Sequence, residues 1–221
     1  MNLATALGLY CAVSKEVEGS KLVFPENKTN YLAFNTWTSS KVHAEFCLWA
    51  GKAPNAKNQR FNVVNGDTQS WQDLWPRMAA RFGCNVPEKM FPTGDAEKKA
   101  YPGYSTATKL HPRPLVKEVE TKMGLKDEFK PEMGQSTGSG QGVGKPRDRH
   151  GLDEGAWDHA TWGFLTFLLG REYSCDASMG KARKIGWTGY ADTWEEFQRT
   201  FKELEAAKML PPVAELKGNH P

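Results

Sequence analysis

The chain has 221 residues, of which 39% are hydrophobic and 25% charged, a length and composition that predict one soluble, globular domain. The net charge of +3 is too small to indicate nucleic-acid binding, and no block of Lys and Arg is present. No apolar run approaches the roughly 20 residues of a membrane helix, so no membrane partner is expected.

The first part of the chain predicts helices separated by short strands. A mostly apolar helix is expected over about 3–17, followed by a short strand at 21–24. Ser39 or Ser40 caps the next helix, which presents Val42, Phe46 and Trp49 on one face. The strongest strand pattern lies at 60–65, where apolar and polar residues alternate before a turn.

The next helix has clear start and stop signals. Ser70 and Asp73 form a capping-box pair, and Gly83 ends the apolar pattern. Its apolar face consists of Trp71, Leu74, Trp75, Met78 and Phe82. A further helix is expected near 115–123, and the Gly-, Ser- and Pro-rich stretch at about 130–153 predicts a flexible loop.

Three helices are predicted after this loop. The first runs from about Trp157 to Leu168, the second is capped by Asp176, and the third opens with Thr193 and Glu196 as a capping box. The tail over 211–221 is expected to be disordered. The fold class is therefore α/β, mostly helical with a few short strands, with one domain over 1–210.

The four cysteines indicate buried free thiols in a reducing compartment. Cys11, Cys47, Cys84 and Cys175 are scattered and form no C-x-x-C, so neither a disulfide framework nor a zinc site is predicted. The apolar start could imitate a signal peptide, but no Lys or Arg precedes it and its pattern fits one helix. A cytoplasmic location is expected.

Several motifs of enzyme sites are matched only superficially. The run Gly138–Lys145 resembles a phosphate loop but has Pro146 where Ser or Thr is needed, and no strand pattern precedes it. The H-x-E at His43 lacks the P-C-x-x-C that completes a deaminase zinc site. The residues His150, Asp153, Asp158 and His159 lie close in sequence, but their spacing matches no standard metal site.

The sequence gives no support for a nucleophilic triad, and it lacks the usual proton donor of short-chain reductases. None of the six Tyr is followed four residues later by Lys. The Tyr–Lys pair of short-chain reductases is thus absent from these 221 residues in its usual form. No catalytic or metal-ligating residue is predicted.

Three stretches together resemble one branch of the extended short-chain dehydrogenases, that of progesterone 5β-reductase and iridoid synthase, in its fungal type. They are the start M-N-L-A-T-A-L-G, the segment F-N-V-V-N-G-D followed by S-W and L-W at 61–75, and D-A-S-M-G-K-A-R followed by G-W at 176–187. The resemblance covers most of the chain except about 131–153. It implies the C-terminal, substrate-side part of a Rossmann-fold reductase.

The resemblance also implies a chemistry and a set of binding residues. The family reduces an enone or carbonyl of small, natural-product substrates with NADPH, and its cofactor loop, Tyr and Lys would lie before Met1. This chain alone would then bind no cofactor. By position, Met1 and Asn2 start the helix beside the substrate pocket, Asn35 and Thr36 lie in the loop that faces substrate, and Trp187 lies on the closing turn. Equally, Met1 could be frayed, Asn35 could only form a turn, and Trp187 could be a core aromatic.

Three functional hypotheses remain open at this point. The chain is a truncated reductase-family member that is inactive alone, a non-enzymatic module that binds a small hydrophobic molecule or a partner, or a cofactor-independent isomerase or cyclase of secondary metabolism. Without a parallel sheet to cover, the helices at 3–17 and after Ser40 would expose apolar faces. Low stability, self-association or docking through the N-terminal helix is therefore expected.

Overall fold

The structure is a computed structural model, and it describes residues 3–16, 20–91, 150–153, 156 and 160–216. Within these ranges the elements are, in chain order, α1 (Leu3–Glu16), α2 (Lys28–Leu32), β1 (Phe34–Asn35), α3 (Ser40–Lys52), β2 (Gln69–Ser70), α4 (Trp71–Phe82), α5 (Trp162–Leu169), α6 (Gly180–Lys184) and α7 (Thr193–Ala206), with 3-10 turns at Pro54–Ala56 and Val213–Glu215. The described part is mostly helical with few strand residues, as predicted.

The helix α1 lies at the centre of the main core. Every residue from Ala4 to Ser14 is buried, and α4, α5 and α7 pack around it. A helix that is apolar on all sides needs such cover. Gly8 permits the close approach, because a Cβ there would collide with Leu210 and press on Phe201. The expectation that α1 offers an exposed face for docking is therefore wrong.

The helix α4 follows its sequence signals closely. The Ser70 hydroxyl accepts from the Asp73 amide and the Asp73 carboxylate accepts from the Ser70 amide, so the predicted capping box is confirmed. Gly83 ends the helix with φ +67°, the left-handed conformation that favours glycine. The residues on its predicted apolar face, Trp71, Leu74, Trp75, Met78 and Phe82, are all buried.

The two predicted strands at 21–24 and 60–65 are wrong. Lys21 makes only one isolated bridge, with Asn85. The 60–65 segment bonds to several separate segments instead of to one neighbouring strand, since the Asn65 amide donates to Trp37 O at 2.7 Å and Asn65 O accepts from Ala191 N at 2.9 Å. The actual pairing is the antiparallel ribbon of β1 with β2, in which Phe34 faces Ser70 and Asn35 faces Gln69.

Two predicted caps are displaced. The N-cap of α7 is Asp192, whose side chain accepts from the Glu195 amide, so the predicted capping box of Thr193 and Glu196 is wrong by one residue. The Thr193 hydroxyl is instead engaged with another segment. Likewise α6 begins at Gly180, so Asp176 does not cap it.

Some predicted segments are only partly within the described residues. The helix near 115–123, most of the 130–153 loop and Trp157 lie outside them. At the end of that loop, however, the His150 ring lies 2.8 Å from a Glu16 carboxylate oxygen, with both side chains largely buried. In the stretch predicted as a disordered tail, Val213 and Leu216 pack against the main core.

Aromatic residues form much of two separate clusters. The main core contains Trp71 and Trp75, both fully buried, together with Phe24, which packs edge-on against Trp75 at 4.9 Å. A second cluster is defined by Val42, Phe46, Val64, Met179, Ala182 and Trp187.

Candidate functional site

The predicted substrate-facing residues Asn35 and Thr36 lie at the ribbon. Asn35 is only 1% exposed, and its side-chain amide donates to Ala33 O at 3.0 Å. The Thr36 amide donates to Cys175 O at 2.9 Å, and its hydroxyl accepts from the Ala177 amide at 3.1 Å. Both side chains therefore bind their own fold, and they bring the ribbon together with the 175–177 segment.

The structure adds Arg171 to this site, a residue that the sequence patterns do not indicate. Its guanidinium Nη2 donates to the Asn35 side-chain oxygen at 2.8 Å, and Nε donates to Leu168 O at 3.3 Å. The guanidinium carbon lies 5.9 Å from the ring centroid of Tyr173, which is 59% exposed. The site thus combines a half-buried cation with an exposed aromatic ring.

The predicted pocket residue Trp187 is placed in the second cluster. It is nearly buried, and its ring packs edge-on against Phe46 at 5.1 Å and tilted against Trp49 at 5.4 Å. Its indole nitrogen is buried without a hydrogen-bond partner. No described hydrogen bond or ring contact joins Trp187 to Asn35, and Met1 and Asn2 lie outside the described residues.

The N-G-D motif at 65–67 connects two helices by hydrogen bonds. The Asn65 side chain accepts from the Ser39 amide at 2.7 Å and donates to the Thr193 hydroxyl at 3.0 Å. Asp67 accepts from both the amide and the hydroxyl of Thr193, at 2.9 and 2.6 Å. Gly66 has φ +113°. The motif therefore ties the start of α3 to the start of α7, and its side chains are occupied by that role.

One carboxyl has a strongly perturbed acidity. Burial raises the pKa of Glu26 from 4.5 to about 7. The carboxylate packs beside Gly170 at the end of α5, where the Asn27 amide donates to Gly170 O at 3.1 Å. Glu26 is thus able to change charge near neutral pH.

The thiols differ in exposure. Cys11 is buried and Cys84 half-buried, and burial raises both pKa values, that of Cys84 to about 11. Cys47 and Cys175 are exposed, so the expectation of buried thiols holds fully only for Cys11. All four are free thiols.

The described residues offer no metal site. No group of three His, Cys, Asp or Glu is placed to hold an ion in the described ranges. His43 and Glu45 are exposed on α3, as expected of surface residues. The His150 ring nitrogens instead lie 2.8 Å from Glu16 and 3.5 Å from Glu215.

The described residues do not fit NADPH either. A dinucleotide site needs a parallel strand that leads through a glycine-rich turn into a helix. The paired strands of the described part are antiparallel and two residues long, and the Gly138–Lys145 run lies outside it. No reaction step through the cofactor can be assigned to these residues.

Comparison with known proteins gives consistent matches along the whole chain. An uncharacterised protein of Schizosaccharomyces pombe is 33% identical over 220 residues, which are 96% of this chain and 52% of the relative. An (S)-8-oxocitronellyl enol synthase of Camptotheca acuminata is 28% identical over 211 residues, covering 96% of this chain and 45% of that protein. A short-chain dehydrogenase of Penicillium aethiopicum is 25% identical over 214 residues, 96% of this chain and 50% of that protein.

The chain is thus similar, at 25–29% identity over 96% of its length, to proteins named as (S)-8-oxocitronellyl enol synthase, short-chain dehydrogenase and 3-oxo-Δ(4,5)-steroid 5β-reductase. The resemblance to iridoid synthase and progesterone 5β-reductase, predicted from the three sequence stretches, is thereby confirmed. No protein-family profile matches the chain. The chain spans about half the length of the curated relatives that it matches. None of the helices in its described part is long and apolar enough to cross a membrane.

Proposed function

We propose that this chain is the C-terminal, substrate-side part of an NADPH-dependent reductase that acts on an enone or carbonyl of a small natural product. The observation that carries the proposal is the match over 96% of the chain to proteins named as enol synthase and short-chain dehydrogenase. In this proposal Asn35, Thr36 and Trp187 contribute to the wall of the substrate pocket, and Met1 and Asn2 start the helix beside it. The 221 residues alone bind the substrate but do not reduce it.

Two features of the chain support the second half of the proposal. No Tyr of the sequence has a Lys four positions later, which is the pair that protonates the substrate in such reductases. The described residues also do not fit the cofactor, as argued above. Hydride transfer would then depend on residues beyond these 221.

The test uses benzalacetone, a simple aromatic enone, with the purified 221-residue chain. We expect saturable binding of benzalacetone by isothermal titration, no quenching or enhancement of NADPH fluorescence, and no loss of NADPH absorbance when both are present. Oxidation of NADPH that depends on chain and enone would contradict the proposed inactivity. Failure of benzalacetone and of matched aliphatic enones to bind would contradict the substrate-side role.

A further inference from the structure

Among the described residues, Arg171 has no ionic partner. A guanidinium carries five N–H groups, and this one donates to two neutral acceptors, the Asn35 side-chain oxygen and Leu168 O. No carboxylate of the described chain lies within 4.0 Å of it, whereas Arg81 and Arg199 each bind a Glu at 2.6 Å. Arg171 is half-buried, so its remaining donors face limited solvent.

Unused hydrogen-bonding groups collect around the same ribbon. Gln69 is the cross-strand partner of Asn35, so the two side chains share one face of the ribbon. Its amide nitrogen donates to Asp67, but its oxygen is buried without a partner. The indole nitrogens of Trp37 and Trp71, whose rings meet edge-on at 4.8 Å, are also buried and unpaired.

The balance of these groups favours an acceptor ligand. Arg171 and the two indoles supply donors, while the unpaired acceptors are Gln69 Oε1 and the side-chain oxygen of Asn30, whose amide shares Leu168 O with Arg171. A buried polar group without a partner costs about 1–3 kcal/mol, so such groups need an explanation wherever they cluster. A planar guanidinium matches a carboxylate with two parallel hydrogen bonds, and it is the most accessible group of this set.

We propose that Arg171 binds the carboxylate of a small amphipathic ligand, whose apolar part packs on the exposed ring of Tyr173. The inference rests on the proposed function, since it places Arg171 as a specificity-determining residue next to Asn35, which the proposed function assigns to the pocket wall. It goes further in naming an anionic group on the ligand. The Asn35 side-chain oxygen orients the guanidinium by accepting from Nη2, and Leu168 O near the C-terminal end of α5 accepts from Nε.

The test compares cinnamate with benzalacetone, which share a styryl body but end in a carboxylate and a methyl ketone. Dissociation constants come from ¹H–¹⁵N titrations of the full chain, read at the Asn35 side-chain amide and the Arg171 Nε–H. We expect cinnamate to bind about tenfold more tightly than benzalacetone, as a charge-assisted bond requires. The shifts should include both probes of the site.

Three variants assign the preference to Arg171. In Arg171→Gln the preference for cinnamate should vanish. Arg171→Lys should keep part of it, because the positive charge remains while the paired N–H donors of the guanidinium are lost. Arg77→Gln removes an exposed arginine on α4 and should leave the preference unchanged. Circular dichroism and thermal melting of each variant confirm the fold.

The outcomes separate this inference from the proposed function. Equal affinities for the two probes, or a cinnamate preference that survives Arg171→Gln, would overturn the anion site while leaving the enone pocket in place. Binding of cinnamate alone with a lost preference in Arg171→Gln would support Arg171 and count against an enone substrate. If neither probe binds, both proposals are wrong.

Discussion

Replacing Glu26 by Gln should make the folded chain more stable at pH 8 and change it little at pH 5. The pKa of Glu26 is raised from 4.5 to about 7 by burial, so folding favours its neutral form. Between pH 4.5 and about pH 7, Glu26 is deprotonated in the unfolded chain but still protonated in the folded chain. The free energy of unfolding therefore falls as pH rises through this range. The full effect is about 3 kcal/mol, which partial solvent exposure reduces to about 2 kcal/mol.

The assay is urea unfolding followed by tryptophan fluorescence at several pH values. The stability difference between Glu26→Gln and the natural chain should grow from about 0.5 kcal/mol at pH 5 to about 2 kcal/mol at pH 8. Glu45→Gln, on the exposed side of α3, serves as the matched control and should show no such trend. A difference that stays constant from pH 5 to pH 8 would refute the claim that burial perturbs this carboxyl.

Three further changes test the packing. Gly189→Ala should cost about 2 kcal/mol in urea unfolding, because a Cβ there would overlap the neighbouring tryptophan ring, whereas Gly51→Ala has open space and should gain up to about 1 kcal/mol. Asp67→Ala should lower the free energy of unfolding by about 2–3 kcal/mol in the same assay, since it leaves a buried hydroxyl and amide unpaired. At pH 8, Cys47 should react with a thiol reagent much faster than Cys84, whose pKa is about 11.

The helices could be predicted where the signals are local. The capping box of Ser70 and Asp73 and the left-handed stop at Gly83 act within a few residues, and both are found as expected. α1 was predicted as a helix for the same reason. The burial of α1 on all sides could not be predicted, because it depends on helices that lie much further along the chain.

The β1–β2 ribbon and the hydrogen bonds of the N-G-D motif could not be predicted from the sequence, because the segments that they bring together are far apart along the chain. Alternation at 60–65 predicts a strand, but pairing there depends on which segments fold back beside it. Thr193 fits a cap pattern, yet its hydroxyl bonds to Asp67, 126 residues away. Arg171 bonds to Asn35 across 136 residues, and no local pattern distinguishes it from a surface arginine.

The most direct test of the substrate-side role is to map an enone onto the chain. Benzalacetone is titrated into the ¹⁵N-labelled protein, and shifts are followed at the Asn35 side-chain amide and the Trp187 indole N–H. The proposed function predicts saturable shifts at both positions with one dissociation constant and without added NADPH. Saturable binding that leaves both positions unshifted would place the pocket elsewhere and contradict the proposal.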